Sequence, residues 1–116
     1  MRDSLTVVLE RNTVLCGDFA TEPYEAAWAS EARWFVRVLD VRGNETQLEA
    51  RAQISPDGLY WCDLDDRALV IRARGLVSLP IREFGGWLRL KGSVATNSGD
   101  REGVGAKVLI YLALKS

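Results

Sequence analysis

Apolar and polar residues alternate one by one along most of this chain, while the 3.6-residue recurrence of an amphipathic helix is almost absent. The cleanest stretch places Leu48, Ala50, Ala52 and Ile54 on one side and Glu49, Arg51 and Gln53 on the other. Such alternation predicts a strand with one buried face and one face in water. Leu88, Leu90 and Val94 against Arg89, Lys91 and Ser93 predict a second strand. Leu69, Ile71 and Ala73 against Val70, Arg72 and Arg74 predict a third, and Leu5, Val7 and Leu9 a fourth. Residues 34–41 and 108–114 are apolar on both sides apart from Arg37 and Asp40. Strands of that kind are central in a sandwich or have a partner laid over the second side.

Turn formers punctuate these runs at short intervals. Arg11-Asn12 separates the first two predicted strands, and Arg42-Gly43-Asn44 ends the one that begins at Trp34. Ser55-Pro56-Asp57-Gly58 has proline second and glycine fourth, which suits a type I turn and predicts a hairpin with Leu59-Tyr60-Trp61 as its second arm. Gly85-Gly86 precedes Trp87. Residues 22–31 fit either period: Tyr24, Ala27 and Trp28 have helical spacing, and Ala26, Trp28 and Ser30 strand spacing. The surrounding strands favour the extended reading. The sum is about eight short strands with irregular loops. That predicts an all-β, antiparallel, two-sheet β-sandwich, jelly-roll-like, with residues 1–116 as one domain.

Composition narrows the function. The chain has 116 residues, 47% hydrophobic and 27% charged, enough for a core and too apolar for a disordered tail. Fifteen Lys+Arg against sixteen Asp+Glu leave a net charge of −1, without the positive excess of a nucleic-acid binder. There is no histidine, which excludes Ser-His-Asp and Cys-His nucleophiles, HExxH zinc sites and histidine pH switches. The run from Leu5 to Leu9 is too short for a secretory signal, and no stretch is long enough for an apolar membrane span. The expected site of synthesis is therefore the cytoplasm. Cys16 and Cys62 are read as buried free thiols of a reducing compartment, with a single disulfide as the alternative.

No concentrated chemical site emerges, and no catalysis, cofactor or metal is expected. Asp63, Asp65 and Asp66 would offer a cation too few oxygens, and Arg67 beside them suits a solvated, partly neutralised loop. A carboxylate pair can perform acid–base chemistry, but no spacing places two acids in a cleft. The glycines of residues 96–105 make no phosphate loop, and that segment is read as a polar loop available for contact in an assembly. Trp28, Trp34, Trp61 and Trp87 are expected to place at least two rings in the core, with Trp87 pointing outward beside Arg89. Arg37, Arg51, Arg72, Arg74 and Arg89 are expected to alternate outward on strands, forming cross-strand ion pairs or a subunit interface. On the last strand, Leu109, Tyr111 and Ala113 oppose Val108, Ile110, Leu112 and Leu114, so its second face needs a cover. The candidate interaction residues are Trp87, Arg89, Arg37, Arg72, Arg74, Leu109 and Tyr111. Expected partners are further copies of the chain or other structural subunits.

The strand from Phe35 to Val41, Gly43 and Thr46, then Gln53, Ser55-Pro56-Asp57-Gly58 and Trp61-Cys62-Asp63-Leu64, form a strand–"QxSPDG"–"WxDL" pattern. Together with Gly86-Trp87-Leu88-Arg89-Leu90 and the last strand, this resembles small β-sandwich virion proteins of phage and prophage, of the head-decoration or minor structural kind. The resemblance covers residues 33–115. Gly86-Trp87 departs from it, since Arg-Tyr is usual there. It implies a non-enzymatic structural subunit built as an oligomer and incorporated into a virion or other assembly, and supplies no catalytic residue. The Ser-Pro-Asp-Gly and Trp segment is also similar to part of discoidin-type carbohydrate-binding sandwiches, which implies a sugar as the alternative partner, stacked on an exposed tryptophan.

Overall fold

The protein's structure, a computed structural model, describes residues 3–96 and 104–116. Among these residues the regular structure is entirely β, in ten strands: β1 (Ser4–Leu15), β2 (Gly17–Ala20), β3 (Tyr24–Glu25), β4 (Glu31–Arg42), β5 (Thr46–Ser55), β6 (Cys62–Asp63), β7 (Leu69–Ile71), β8 (Gly75–Arg82), β9 (Trp87–Thr96) and β10 (Gly105–Lys115). They form two antiparallel sheets. One has four strands in the order β1-β10-β4-β8. The other has six: β9 and β5 lie at its centre, β2 and β3 both pair with β9, and β6 and β7 both pair with β5. Ten strands thus occupy eight positions, four in each layer.

The pairing gives the path of the chain. Its first half pairs backwards with its second half: β1 with β10, β2 and β3 with β9, β4 with β8, and β5 with β6 and β7. The chain is one long hairpin turning at residues 56–61, whose paired ribbons are laid alternately into the two sheets. That winding is a jelly roll, and it supports the sandwich expected from the alternation.

Between the sheets lies the core. β4 sends Trp34, Val36 and Val38 inward, and β10 sends Val108, Ile110, Leu112 and Leu114; all seven are at most 2% exposed. Leu48, Ala50, Ala52, Leu88, Leu90 and Val94 face them from β5 and β9. Opposite Ala50 stands Gly92. A Cβ there would lie 2.8 Å from Ala50 Cα and closer still to the carbonyl oxygen of Glu49, so only glycine lets the two central strands approach this far.

Several expectations change. Arg11-Asn12 does not end a strand: β1 runs through it, absorbing the disruption as a register shift, with Asn12 at a φ of 52°. Residues 22–31 are extended at β3 and then turn, with Ala29 N donating to Ala26 O, and contain no helix. The hairpin after Ser55 exists, but Leu59-Tyr60-Trp61 belongs to its turn and only Cys62–Asp63 pairs back. β7 stops at Ile71, because residues 72–74 cross from one sheet to the other; Arg72 and Arg74 therefore do not sit on a strand. β8 was not visible as an alternation, and its Pro80 is tolerated because β8 is an edge strand. Trp34 is the one tryptophan in the core, so the expected second buried ring is absent. Cys16 and Cys62 are free and exposed rather than buried, one at the β1–β2 junction and one on a two-residue strand.

Candidate functional site

The outer face of the four-stranded sheet is built by the same alternation that fills the core. Where β4 turns Trp34, Val36 and Val38 inward, Arg33, Phe35 and Arg37 must point out. A register shift between Lys107 and Val108 leaves Leu39 as an extra residue on β4, and it stays half-buried on the outer side. β10 contributes Lys107, Leu109, Tyr111 and Ala113.

Register aligns these side chains in rows across the strands. Val8, Tyr111, Phe35 and Ser78 form one row. Leu109, Arg37 and Leu76 form the next, and Thr6, Ala113, Arg33 and Pro80 the one on its other flank. Leu109, Tyr111 and Phe35 are half-buried by their neighbours, whereas Val8 is 38% and Leu76 60% exposed. The result is an apolar band two to three rows deep with arginines set into it. A half-wet antiparallel sheet usually carries polar residues here.

The band is also basic. β1, β4, β8 and β10 together carry seven Lys+Arg against three Asp+Glu. Arg42 pairs with Asp40 at 3.4 Å and Arg82 with Glu31 at 3.3 Å. Arg33 donates to Ser78 Oγ at 2.8 Å, a neutral acceptor. Arg37 has no carboxylate within ion-pair distance among the described residues. It lines a shallow depression of about 320 Å³ with Leu39, Arg74 and Leu76. Arg72 and Arg74 border a larger one, about 610 Å³, floored in part by Asp40 and Thr46.

The second cluster lies at the turn of the long hairpin, on the other sheet. Ser55 Oγ accepts from the backbone N–H groups of Asp57 and Gly58, at 3.2 and 2.8 Å, and donates to Asp57 Oδ1. Asp57 Oδ1 also accepts from the N–H groups of Leu59 and Tyr60, at 2.8 and 3.1 Å. Those two backbone bonds hold the Asp57 carboxyl below the usual carboxylate range. Gly58, at a φ of 80°, leaves room for the Trp87 ring beside it; a Cβ there would touch the ring at 3.3 Å. The outcome is a fixed tip with Leu59 77% and Tyr60 78% exposed.

Beside the tip, Trp87 does point outward, aligned with Ser55, and is half-buried. The Arg89 guanidinium sits over the Trp61 ring, 4.4 Å from its centroid, and its Nε donates to Gln53 Oε1 at 2.8 Å. Gln53 Nε2 in turn donates to Asp63 Oδ1 at 2.9 Å. Asp65 is held by Arg67 at 2.7 Å, and that contact pulls its carboxyl below the usual range. Asp63 and Asp65 thus have protein partners, and among the described residues no three metal-ligating side chains gather. No helix among them is long and apolar enough to cross a membrane.

The seven expected interaction residues therefore fall into three places. Arg37, Leu109 and Tyr111 share the outer face of the four-stranded sheet. Trp87 and Arg89 sit by the hairpin tip. Arg72 and Arg74 lie on the crossover, Arg74 bordering the Arg37 depression. Of the arginines expected to pair across strands, Arg51 pairs instead along β5 with Glu49, at 3.7 Å. Most of the expected contact loop, residues 97–103, lies outside the described residues. Phe35, Leu39, Leu76, Leu59 and Tyr60 were not singled out. Phe35 acquires meaning only from its register with Tyr111, and the signal for the tip was two large apolar residues directly after Pro-Asp-Gly. Compared with protein-family models and with curated proteins, the chain finds no match.

Proposed function

We propose that this protein is a non-enzymatic assembly subunit that works through protein–protein contacts on the outer face of its four-stranded sheet, with another copy of itself as partner. The observation that carries this reading is the row Val8, Tyr111, Phe35 together with Leu109 and Leu76, an apolar band where solvent-facing strands normally carry polar residues. Tyrosine and arginine, both present in it, are the side chains most favoured at contact hot spots. The concrete form is a decoration or minor structural subunit of a phage-type virion, as the resemblance over residues 33–115 implies.

Size sets the expected strength. Four strands at about 4.8 Å spacing and seven residues at about 3.4 Å give roughly 450 Å² in plan per partner. A pair then buries about 900 Å², the low end for specific contacts, so association belongs in the micromolar range. Light scattering after size exclusion at about 100 µM should give a mass above the 12.9 kDa of one chain. Tyr111→Asp should return it to one chain with the fold unchanged. A wild-type protein that stays single at that concentration and meets no partner would sink the reading.

A second reading is supported by the polar chain Arg89–Gln53–Asp63 beside the Trp61 and Trp87 rings, the mixture of ring faces and hydrogen-bonding groups that a sugar uses. Binding on a glycan array that disappears with Trp87→Ala in a folded protein would favour it.

A further inference from the structure

The apolar, basic face and the apolar hairpin tip are complementary, and they belong to different sheets. Residues 55–66 contain Asp57, Asp63, Asp65 and Asp66 and no lysine or arginine, and of these Asp65 alone is in an ion pair among the described residues, with Arg67. The depression beside Arg37 is bordered by two arginines, with Leu39 and Leu76 between them. Their placement follows from register. The tip leaves β5 at Ser55, which aligns with Trp87, the first residue after the β8–β9 link. It therefore projects at the end where β8 finishes with Arg82. The depression lies where β8 begins, with Gly75 aligned to Val38. One copy cannot bring the two together.

We infer that copies associate head to tail, with Leu59 and Tyr60 at the hairpin tip of one copy seated in the Arg37–Arg74 depression of the next. This rests on the assembly reading and gives it a geometry. The tip suits an inserting part because its shape is already fixed by the Ser55 and Asp57 hydrogen bonds and by the Trp87 ring, so little ordering cost remains at binding. A depression of about 320 Å³ is ample, since about 150 Å³ holds a benzene ring. The carboxylate of Asp57 at the tip approaches arginines that have no carboxylate within ion-pair distance among the described residues, which fixes orientation and speeds encounter. The contact is heterologous, so it propagates into a ring or a filament rather than stopping at two.

Two variants test this in sedimentation velocity: Leu59→Asp/Tyr60→Asp, which spoils the tip, and Arg37→Glu/Arg74→Glu, which spoils the depression. All four positions are on the surface, and retained circular dichroism and melting temperature confirm the fold. Each variant alone should associate at least about tenfold more weakly than wild type. Mixed in equal amounts they should form a one-to-one dimer, because each still holds one intact half of the contact. A tip variant that self-associates like wild type overturns the inference while leaving the assembly reading intact. A mixture of the two variants that stays monomeric overturns it as well. A wild-type protein that is itself monomeric removes both.

Discussion

Gly92→Ala adds one methyl group where the two central strands of the six-stranded sheet come closest. The new Cβ would stand 2.8 Å from Ala50 Cα, 2.9 Å from the Glu49 carbonyl carbon and nearer still to its oxygen. All three are backbone atoms, so no side chain can rotate away. The strands must part by several tenths of an ångström or more, at a position where β9 is paired on both sides, with Ala50 and with Phe19. Overpacking of this kind costs about 1–3 kcal/mol, and weakening two ladder hydrogen bonds adds about 1–3 kcal/mol. Restricting the unfolded chain returns about 0.5–1 kcal/mol. The net loss is about 1–5 kcal/mol, against a total stability of roughly 6–17 kcal/mol for a chain of this length. With a urea slope of about 1–3 kcal/mol/M, the unfolding midpoint should fall by at least about 0.3 M. Gly75→Ala is the control: its Cβ meets nothing within 4 Å, so it should be neutral or slightly stabilising. Equal midpoints for the two variants would refute the close-approach argument.

Other perturbations probe other parts of the molecule. Trp34 is fully buried, and its ring N–H has no acceptor among the described residues. Trp34→Phe should therefore cost less than about 2 kcal/mol, against about 3–5 kcal/mol for Trp34→Ala; similar denaturation midpoints for the two would contradict this. Cys16 and Cys62 should both react with a thiol reagent in the native protein, and a thiol that titrates only after unfolding would show the exposure to be wrong. Asp57 and Asp65 have carboxyls lowered from the ordinary 3.8, Asp57 by backbone N–H donors and Asp65 by Arg67. Because the folded value is the lower one, their contribution is present above the unfolded pKa and is lost as pH falls through the folded value. Carbon-detected NMR should find both titrating below 3.8, and a midpoint at or above it would refute the hydrogen-bond pattern at the tip.

The sandwich was legible because a strand with one wet face writes its orientation into alternate residues. β5 and β9 could be drawn almost residue by residue from Leu48 to Ile54 and from Leu88 to Val94. The two-sided apolar character of residues 34–41 and 108–114 also had a visible meaning, since β4 and β10 are the central strands of their sheet. Pattern fails where position depends on distant pairing. Nothing local shows that Phe35 stands beside Tyr111, or that Arg74 reaches the edge of the Arg37 depression after a crossover. Turn chemistry misleads in both directions: Arg11-Asn12 looks like a break but lies within β1, and residues 59–61 look like a strand but lie in a turn. A bulge can absorb a turn former, and a carboxylate such as Asp57 can capture backbone donors that a strand would need.

The long-hairpin path of the chain also dictates an order of assembly. β10 is the wedge between β1 and β4, so during synthesis the four-stranded sheet has a gap at its centre until β10 leaves the ribosome. Folding can begin at the midpoint, where β5 and β6 are close in sequence, and zip outwards. The β1–β10 pairing must close a loop of about a hundred residues and comes at the end, where long-range strand pairing is slow. Until then β1 and β4 each present a bare edge, open to the corresponding strand of a neighbouring nascent chain. A chain stalled or truncated before Gly105 should therefore aggregate or need a chaperone, while one that reaches Ser116 is fastened where Ser116 N donates to Asp3 O.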